Sequence, residues 1–177
     1  TELLYKPLPL MIGLAYEICA KGWEVDDVIS YMHTGLTGLD RADCDLLEGY
    51  IFKWQLRASA WLREDDWHQH PDGYRGEYDE ESRERLRKIN AARRRLSAPL
   101  IAFQQRSGEA HTAEEQCAAL SGLFADMKLP EQLEKRAEVL ANAGREELAQ
   151  EYAQLWDIIV SALEQTAAIL TDRQTDR

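Results

Sequence analysis

Apolar side chains recur at intervals of three and four residues along almost the whole 177-residue chain, and no stretch alternates in the way a strand does. The clearest runs are Leu86, Ile89, Leu96, Leu100 and Phe103, and Leu148, Tyr152, Leu155, Ile159, Ala162, Thr166 and Ile169. A period of about 3.6 residues puts each set on one face of a helix, and that face must be buried against another helix. The expected fold class is all-α, about seven helices in an irregular multi-helical bundle. With 45% hydrophobic residues the chain has material for a packed interior and is not composed like a disordered one. Residues 1–177 are expected to form a single helical domain.

Helix punctuation supports this division. Leu10 to Ala20 carries only Glu17 as a charge, which predicts a helix buried on most sides, and Gly22 suits its C-terminal turn. A second helix is expected from about Val25 to Thr34, with Val25, Val28, Ile29 and Met32 on one face and Gly35 closing it. Asp40 is placed to cap a third, whose Leu47, Tyr50, Ile51 and Trp54 share a face. Residues 57–77 hold Trp61, Trp67, His68, His70, Pro71, Gly73 and Gly76 without helical spacing and read as a long surface loop. A long helix follows to about Arg106, with a kink or break expected near Ser97 because Pro99 interrupts it. Thr112 and Glu115 form a capping box ahead of a stripe of Cys117, Leu120, Phe124 and Met127. Pro130 starts the next helix, and Gly144 stops it.

Charge is distributed unevenly. The net charge is −11, yet Arg83 to Arg95 holds six arginines, one lysine and one glutamate. At about 100° per residue, Arg83, Arg87 and Arg94 fall within roughly 40° of one another, away from the apolar stripe. Lys88 and Arg95 flank this row, which spans about 16 Å. It suits a few phosphates of a nucleic-acid backbone or an acidic partner surface. It suits equally a solvated face neutralised in place, with Glu81 reaching Arg85 and Glu84 reaching Lys88 four residues on.

Catalytic constellations do not assemble in the sequence. His68 and His70, with Asp65, Asp66 and Asp72, resemble an incomplete metal site and fit a solvent-exposed loop better. Asp43, Asp45 and Glu48 read as the wet side of one helix rather than as an acid–base pair. Cys19, Cys44 and Cys117 are too far apart for a zinc or iron–sulfur motif and read as reduced, packed thiols. Trp54 and Trp156 read as core, whereas Trp61 and Trp67 either anchor the irregular segment or stack on a base or partner. Phosphate-binding loops, dinucleotide fingerprints, serine-hydrolase elbows and HExxH are all missing. The expectation is a chain that is not itself an enzyme, with no catalytic residue, metal ligand or cofactor of its own. The missing secretory leader and membrane span point to a cytoplasmic chain, and the ordinary polar sequence at Thr1 and Arg177 to a piece cut from a longer one.

Tyr31-Met-His-Thr-Gly-Leu36, then Asp45-Leu-Leu-Glu-Gly-Tyr50 and Trp61, carry a resemblance to the AddB/RexB family, the B subunits of bacterial ATP-dependent helicase–nucleases. In that family a helix ends in a Thr-Gly-Leu-like turn, and a Leu-Glu-Asn-Tyr-like segment and a glycine-rich step to tryptophan follow. An arginine-bearing helix leading to a Pro-Leu pair corresponds to Arg93 to Leu100, and a later tryptophan helix to Trp156. Gly49 stands where the family has asparagine, and Leu56-Arg-Ala-Ser-Ala60 lacks the usual glycines. The resemblance implies a helical insertion of the 2B type found in superfamily-1 helicases, within a subunit that pairs with an AddA-type helicase–nuclease on DNA ends during double-strand break repair and recombination. It also implies that ATP with magnesium and a 4Fe–4S cluster are bound elsewhere in the parent subunit. Two functions remain open: an accessory domain that positions DNA or the partner subunit, and a helical protein–protein interaction domain with no nucleic-acid role.

Overall fold

The computed structural model describes residues 7–175. Eight helices and no strand occur among them: α1 (Pro7–Lys21), α2 (Val25–His33), α3 (Arg41–Trp54), α4 (Ser59–Leu62), α5 (Glu80–Glu109), α6 (Ala113–Asp126), α7 (Leu129–Asn142) and α8 (Glu146–Thr175). The fold is all-α, and the one helix beyond the expected number is the four-residue α4. The chain divides into two compact units, one ending at Ile101 and the other running from Ala102 onward, with α5 contributing residues to both.

In the first unit α1 buries Met11, Leu14, Ala15 and Ile18, a single stripe. Leu10 on its outer side is 56% exposed, so the helix is not buried on most sides as its low charge suggested. Lack of charge lowers the cost of burial but does not supply a second packing partner. Gly22 at φ 79° ends α1, and the Trp23 amide donates back to the Ile18 carbonyl at 2.9 Å. Asp40 caps α3 by accepting the Asp43 amide at 2.7 Å. α3 ends through Gln55, at φ 48°, after burying Leu47, Tyr50 and Ile51.

α5 opens on a reciprocal cap. The Ser82 amide donates to the Asp79 carboxylate at 2.7 Å, and the Asp79 amide to the Ser82 hydroxyl at 3.0 Å. That bonding holds the Asp79 carboxyl below its usual range. The helix then runs through Pro99 to Glu109 without the break expected near Ser97. Proline removes one backbone bond from a helix interior, but Leu96, Leu100 and Phe103 around it are buried and hold the flanking turns in place.

The second unit is built on apolar stripes. α6 begins at the Thr112–Glu115 capping box, both arms of which are formed. Its buried residues are Ala119, Leu123 and Phe124, followed by Met127, whereas Cys117 and Leu120 are half-buried. The core stripe is thus rotated from the one the spacing suggested. Both stripes contain Phe124 and Met127. α7 buries Leu129, Leu133 and Ala137, and α8 buries Ala149, Tyr152 and Ile159. Thr166 and Ile169 lie outside the described side chains.

Candidate partner- and DNA-contact face

Within the first unit α5 has an inner and an outer side. Ile89, Asn90, Ala92, Arg93, Leu96 and Ser97 are buried, and Arg83, Arg87, Lys88, Arg94 and Arg95 are exposed. The four exposed arginine side chains keep between 51% and 60% of their surface open. All have acidic neighbours. Arg83 lies 3.9 Å from Glu80, and Arg87 bridges Glu80 at 2.9 Å and Glu84 at 2.6 Å. Arg94 pairs with Asp66 and donates to the Glu64 carbonyl at 3.1 Å, and Arg95 pairs with Asp43 of α3. Lys88 forms no ion pair among the described residues. Exposed pairs of this kind are weak and screened by salt, so a phosphate or a partner carboxylate can replace them at small cost.

The pairing differs in detail from the expected four-residue steps. Arg85 turns to Asp72 and forms two parallel bonds of 2.9 and 2.7 Å, and Glu84 goes to Arg87. A two-point guanidinium–carboxylate match outcompetes a single contact on an exposed helix. Arg85 accordingly holds the Asp72 carboxyl below its usual range, and Arg87 does the same for Glu84.

Arg93 does not belong to the outer row at all. It is 2% exposed and donates to the carbonyls of Asp65 at 2.8 Å, Arg63 at 2.5 Å and Ala60 at 3.2 Å. Its guanidinium carbon sits 4.5 Å above the Trp67 ring. Trp67 also stacks on Tyr50 at 5.6 Å and makes a T-shaped contact with Trp61 at 4.9 Å, and Trp61 stacks on Trp23 at 5.4 Å. Burial pushes the Arg93 guanidinium down, yet arginine stays cationic, so the carbonyls and the ring supply its solvation.

The segment between α4 and α5 is irregular and largely exposed, as expected, but Trp67, His70 and Pro71 within it are buried. A loop can be buried only if its polar backbone is paired, and here side chains pair it. Tyr50, Lys53 and Trp54 of α3 donate to the carbonyls of Gln69, Pro71 and His70 at 2.8, 2.9 and 3.0 Å. Asn90 of α5 accepts the Trp67 amide at 2.8 Å and donates to its carbonyl at 3.1 Å. Trp61 and Trp67, 1% and 5% exposed, are therefore anchors. A cleft of about 430 Å³ opens beside Trp67, lined by Leu56, Ala60, Arg63, Asp65, Asp66, His68 and Gln69. Trp67 is 5% exposed, so that cleft offers no open ring face for a base.

His70 is also structural. Its Nδ1 accepts the Asp72 amide at 3.0 Å and its Nε2 donates to the Glu77 carbonyl at 2.9 Å, which defines a neutral ring with the proton on Nε2. No three His, Cys, Asp or Glu residues converge as a metal-ligand set among the described residues. The three cysteines are free and half-buried, and burial pushes the Cys19 thiol up to about 11. No described helix is long and apolar enough to cross a membrane.

Sequence comparison adds the family context. The B subunit of the ATP-dependent helicase/deoxyribonuclease of Acetivibrio thermocellus is 30% identical over 172 residues, which cover 97% of this chain. The proteins of the same name from Caldanaerobacter subterraneus and Desulforudis audaxviator are 31% and 33% identical over 170 and 178 residues, each covering 95% of this chain. The chain belongs to the AddB/RexB family. It spans about 15% of the length of the curated relatives it matches. No family model matches it.

For an AddB/RexB segment, the quoted motifs now have positions. Tyr31 and Leu36 are buried, 1% and 0% exposed, and Tyr50 is 2% exposed. The step from Tyr50 to Trp61 passes through Gln55 and Ala58, both at positive φ without being glycine. The buried roles of Asn90, Arg93 and His70 escaped the sequence reading. A signal existed for two of them: Asn90 and Arg93 sit within the apolar spacing of Ile89 and Leu96, and a polar group there needs a buried partner.

Proposed function

We propose that this chain is a non-catalytic accessory domain of an AddB-type helicase–nuclease protein, and that the exposed face of α5 meets DNA or an AddA-type partner during double-strand break repair. The observation that carries the reading is the alignment of nearly the whole chain with part of proteins named as the B subunits of ATP-dependent helicase/deoxyribonucleases. A non-catalytic role is supported by the use of His70, Asn90 and Arg93, all buried, in holding the irregular segment, which leaves them unavailable to a substrate. Contact through α5 is supported by the exposure of Arg83, Arg87, Lys88, Arg94 and Arg95 along one helix. ATP, magnesium and an iron–sulfur cluster belong, on this reading, to other parts of the parent protein.

The test is a triple reversal, Arg83→Glu, Arg87→Glu and Arg94→Glu, in the complete AddB-type protein assembled with its partner. DNA-end binding or assembly of the two proteins is expected to weaken at least tenfold, with the loss in DNA binding growing smaller as salt rises. Unchanged DNA binding and unchanged assembly would remove the α5 face from the function. The interaction-domain alternative is favoured if assembly alone is lost.

A further inference from the structure

The turn that follows His70 combines a tightly held backbone with an idle side chain. Asp72 is fixed by Arg85 through two bonds and by its own amide to His70 Nδ1. The Lys53 ammonium holds the Pro71 carbonyl at 2.9 Å, and His70 Nε2 holds that of Glu77 at 2.9 Å. Gly73 and Gly76 close successive turns, their amides donating to the carbonyls of His70 at 3.1 Å and Gly73 at 3.2 Å. A Cβ on Gly76 would lie 2.0 Å from the His70 ring, so glycine is required there. At the tip of this frame stand Tyr74, 95% exposed, and Arg75, also exposed.

Tyr74 contributes little to the fold. Its ring meets only the edge of Trp54, at 4.6 Å, and its hydroxyl bonds to none of the described residues. Tyr78 makes the contrast: it is 51% exposed, but its hydroxyl donates to the His68 carbonyl and its ring packs on His70. The other large exposed apolar side chains keep between 46% and 63% of their surface open. A rigid turn presenting a tyrosine loses little entropy when it is captured, and tyrosine and arginine are prominent among the residues that anchor protein interfaces.

We propose that Tyr74 is a docking knob that enters an apolar pocket on a second protein of the assembly, with Arg75 beside it and basic groups of that protein around the rim. The charge of the turn selects this occupant. Of the acids at 72–81, Asp72 is paired with Arg85 and Glu80 with Arg83 and Arg87, which leaves Glu77, Asp79 and Glu81 without an ion pair among the described residues and Arg75 as the one basic residue of the turn. That surround repels a phosphate backbone and attracts a basic rim. The proposal rests on the reading of this chain as part of a multi-protein assembly, but not on the arginine row of α5.

The test uses the complete AddB-type protein with its partner. Tyr74 is replaced by photoreactive benzoylphenylalanine, and the cross-linked peptides are identified in the presence and absence of DNA. Cross-linking to one lysine- or arginine-rich region of the partner is expected, in both conditions. In parallel, Tyr74→Ala is expected to weaken assembly about tenfold without moving the melting temperature of the AddB-type protein, and Tyr74→Phe to retain most of the affinity. A cross-link to DNA, a cross-link only within the AddB-type protein, no cross-link, or unchanged assembly of Tyr74→Ala would each overturn the proposal. If the charge reversals on α5 are silent while Tyr74 cross-links to the partner, the α5 reading fails and this one stands.

Discussion

Residues 56–79 and residues 113–159 solve the same burial problem by different means. In the second region, Leu123, Phe124, Leu133, Tyr152 and Ile159 are buried from helices whose backbones pair internally, so apolar contact is sufficient. In the first, Trp61, Trp67 and His70 are buried from a chain with little helix, so each buried carbonyl needs a donor from elsewhere. Tyr50, Lys53, Trp54, Asn90 and Arg93 supply those donors. Irregular backbone can therefore belong to a core when neighbouring helices contribute polar side chains at inward positions, and such a core depends on single residues more than an apolar stripe does.

The largest expected effect separates the two regions directly. Arg93→Met keeps bulk but leaves the carbonyls of Ala60, Arg63 and Asp65 without that donor. It should cost on the order of 4 kcal/mol, since a buried acceptor left unpaired costs about 1–3 kcal/mol. Leu123→Ala, which leaves a cavity in the apolar region, should cost about 3 kcal/mol. Urea unfolding of both variants checks the pair. Equal stability of Arg93→Met and the parent chain would mean that the irregular segment is not held by its donors.

A smaller effect sharpens the same contrast. Gly76→Ala pushes a methyl into the His70 ring, and should cost about 2 kcal/mol as an overpacked contact. Gly108→Ala, where a Cβ meets nothing within 4 Å, should be neutral or slightly stabilising. Comparing their thermal midpoints distinguishes the packed turn at Gly76 from the open helix end at Gly108.

The smallest effect concerns acid. The Asp79 carboxyl is held below its usual range mainly by the Ser82 amide, so it binds its proton at lower pH folded than unfolded. Its stabilising contribution is present above the unfolded value of about 3.9 and is lost as pH falls through the folded value. Asp79→Asn keeps an N-cap without the titration. Stability at neutral pH should change little, and its decline as pH falls below about 4 should become shallower, as read by denaturation at stepped pH.

Much of this was legible in the residues themselves. The three-four spacing, the capping residues Asp40 and Thr112, and the glycines at 22, 35 and 144 determine helices and their ends, because these are local effects acting over one or two turns. The motifs around Tyr31–Leu36 and Asp45–Tyr50 pointed to the family, and they carry buried residues of the first unit, among them Tyr31, Met32, Leu36, Leu47 and Tyr50. Helical spacing already put Arg83, Arg87 and Arg94 on the outer side of α5, and only the tertiary structure decided what encloses Arg93. Arg93 and Arg94 are neighbours in sequence, yet one is enclosed by carbonyls and a tryptophan while the other lies in the exposed row. A helix turns about 100° per residue, and whether that step ends in solvent or in a core depends on what lies opposite. What lies opposite Arg93 is a segment far from it in sequence, whose unpaired backbone local spacing cannot reveal.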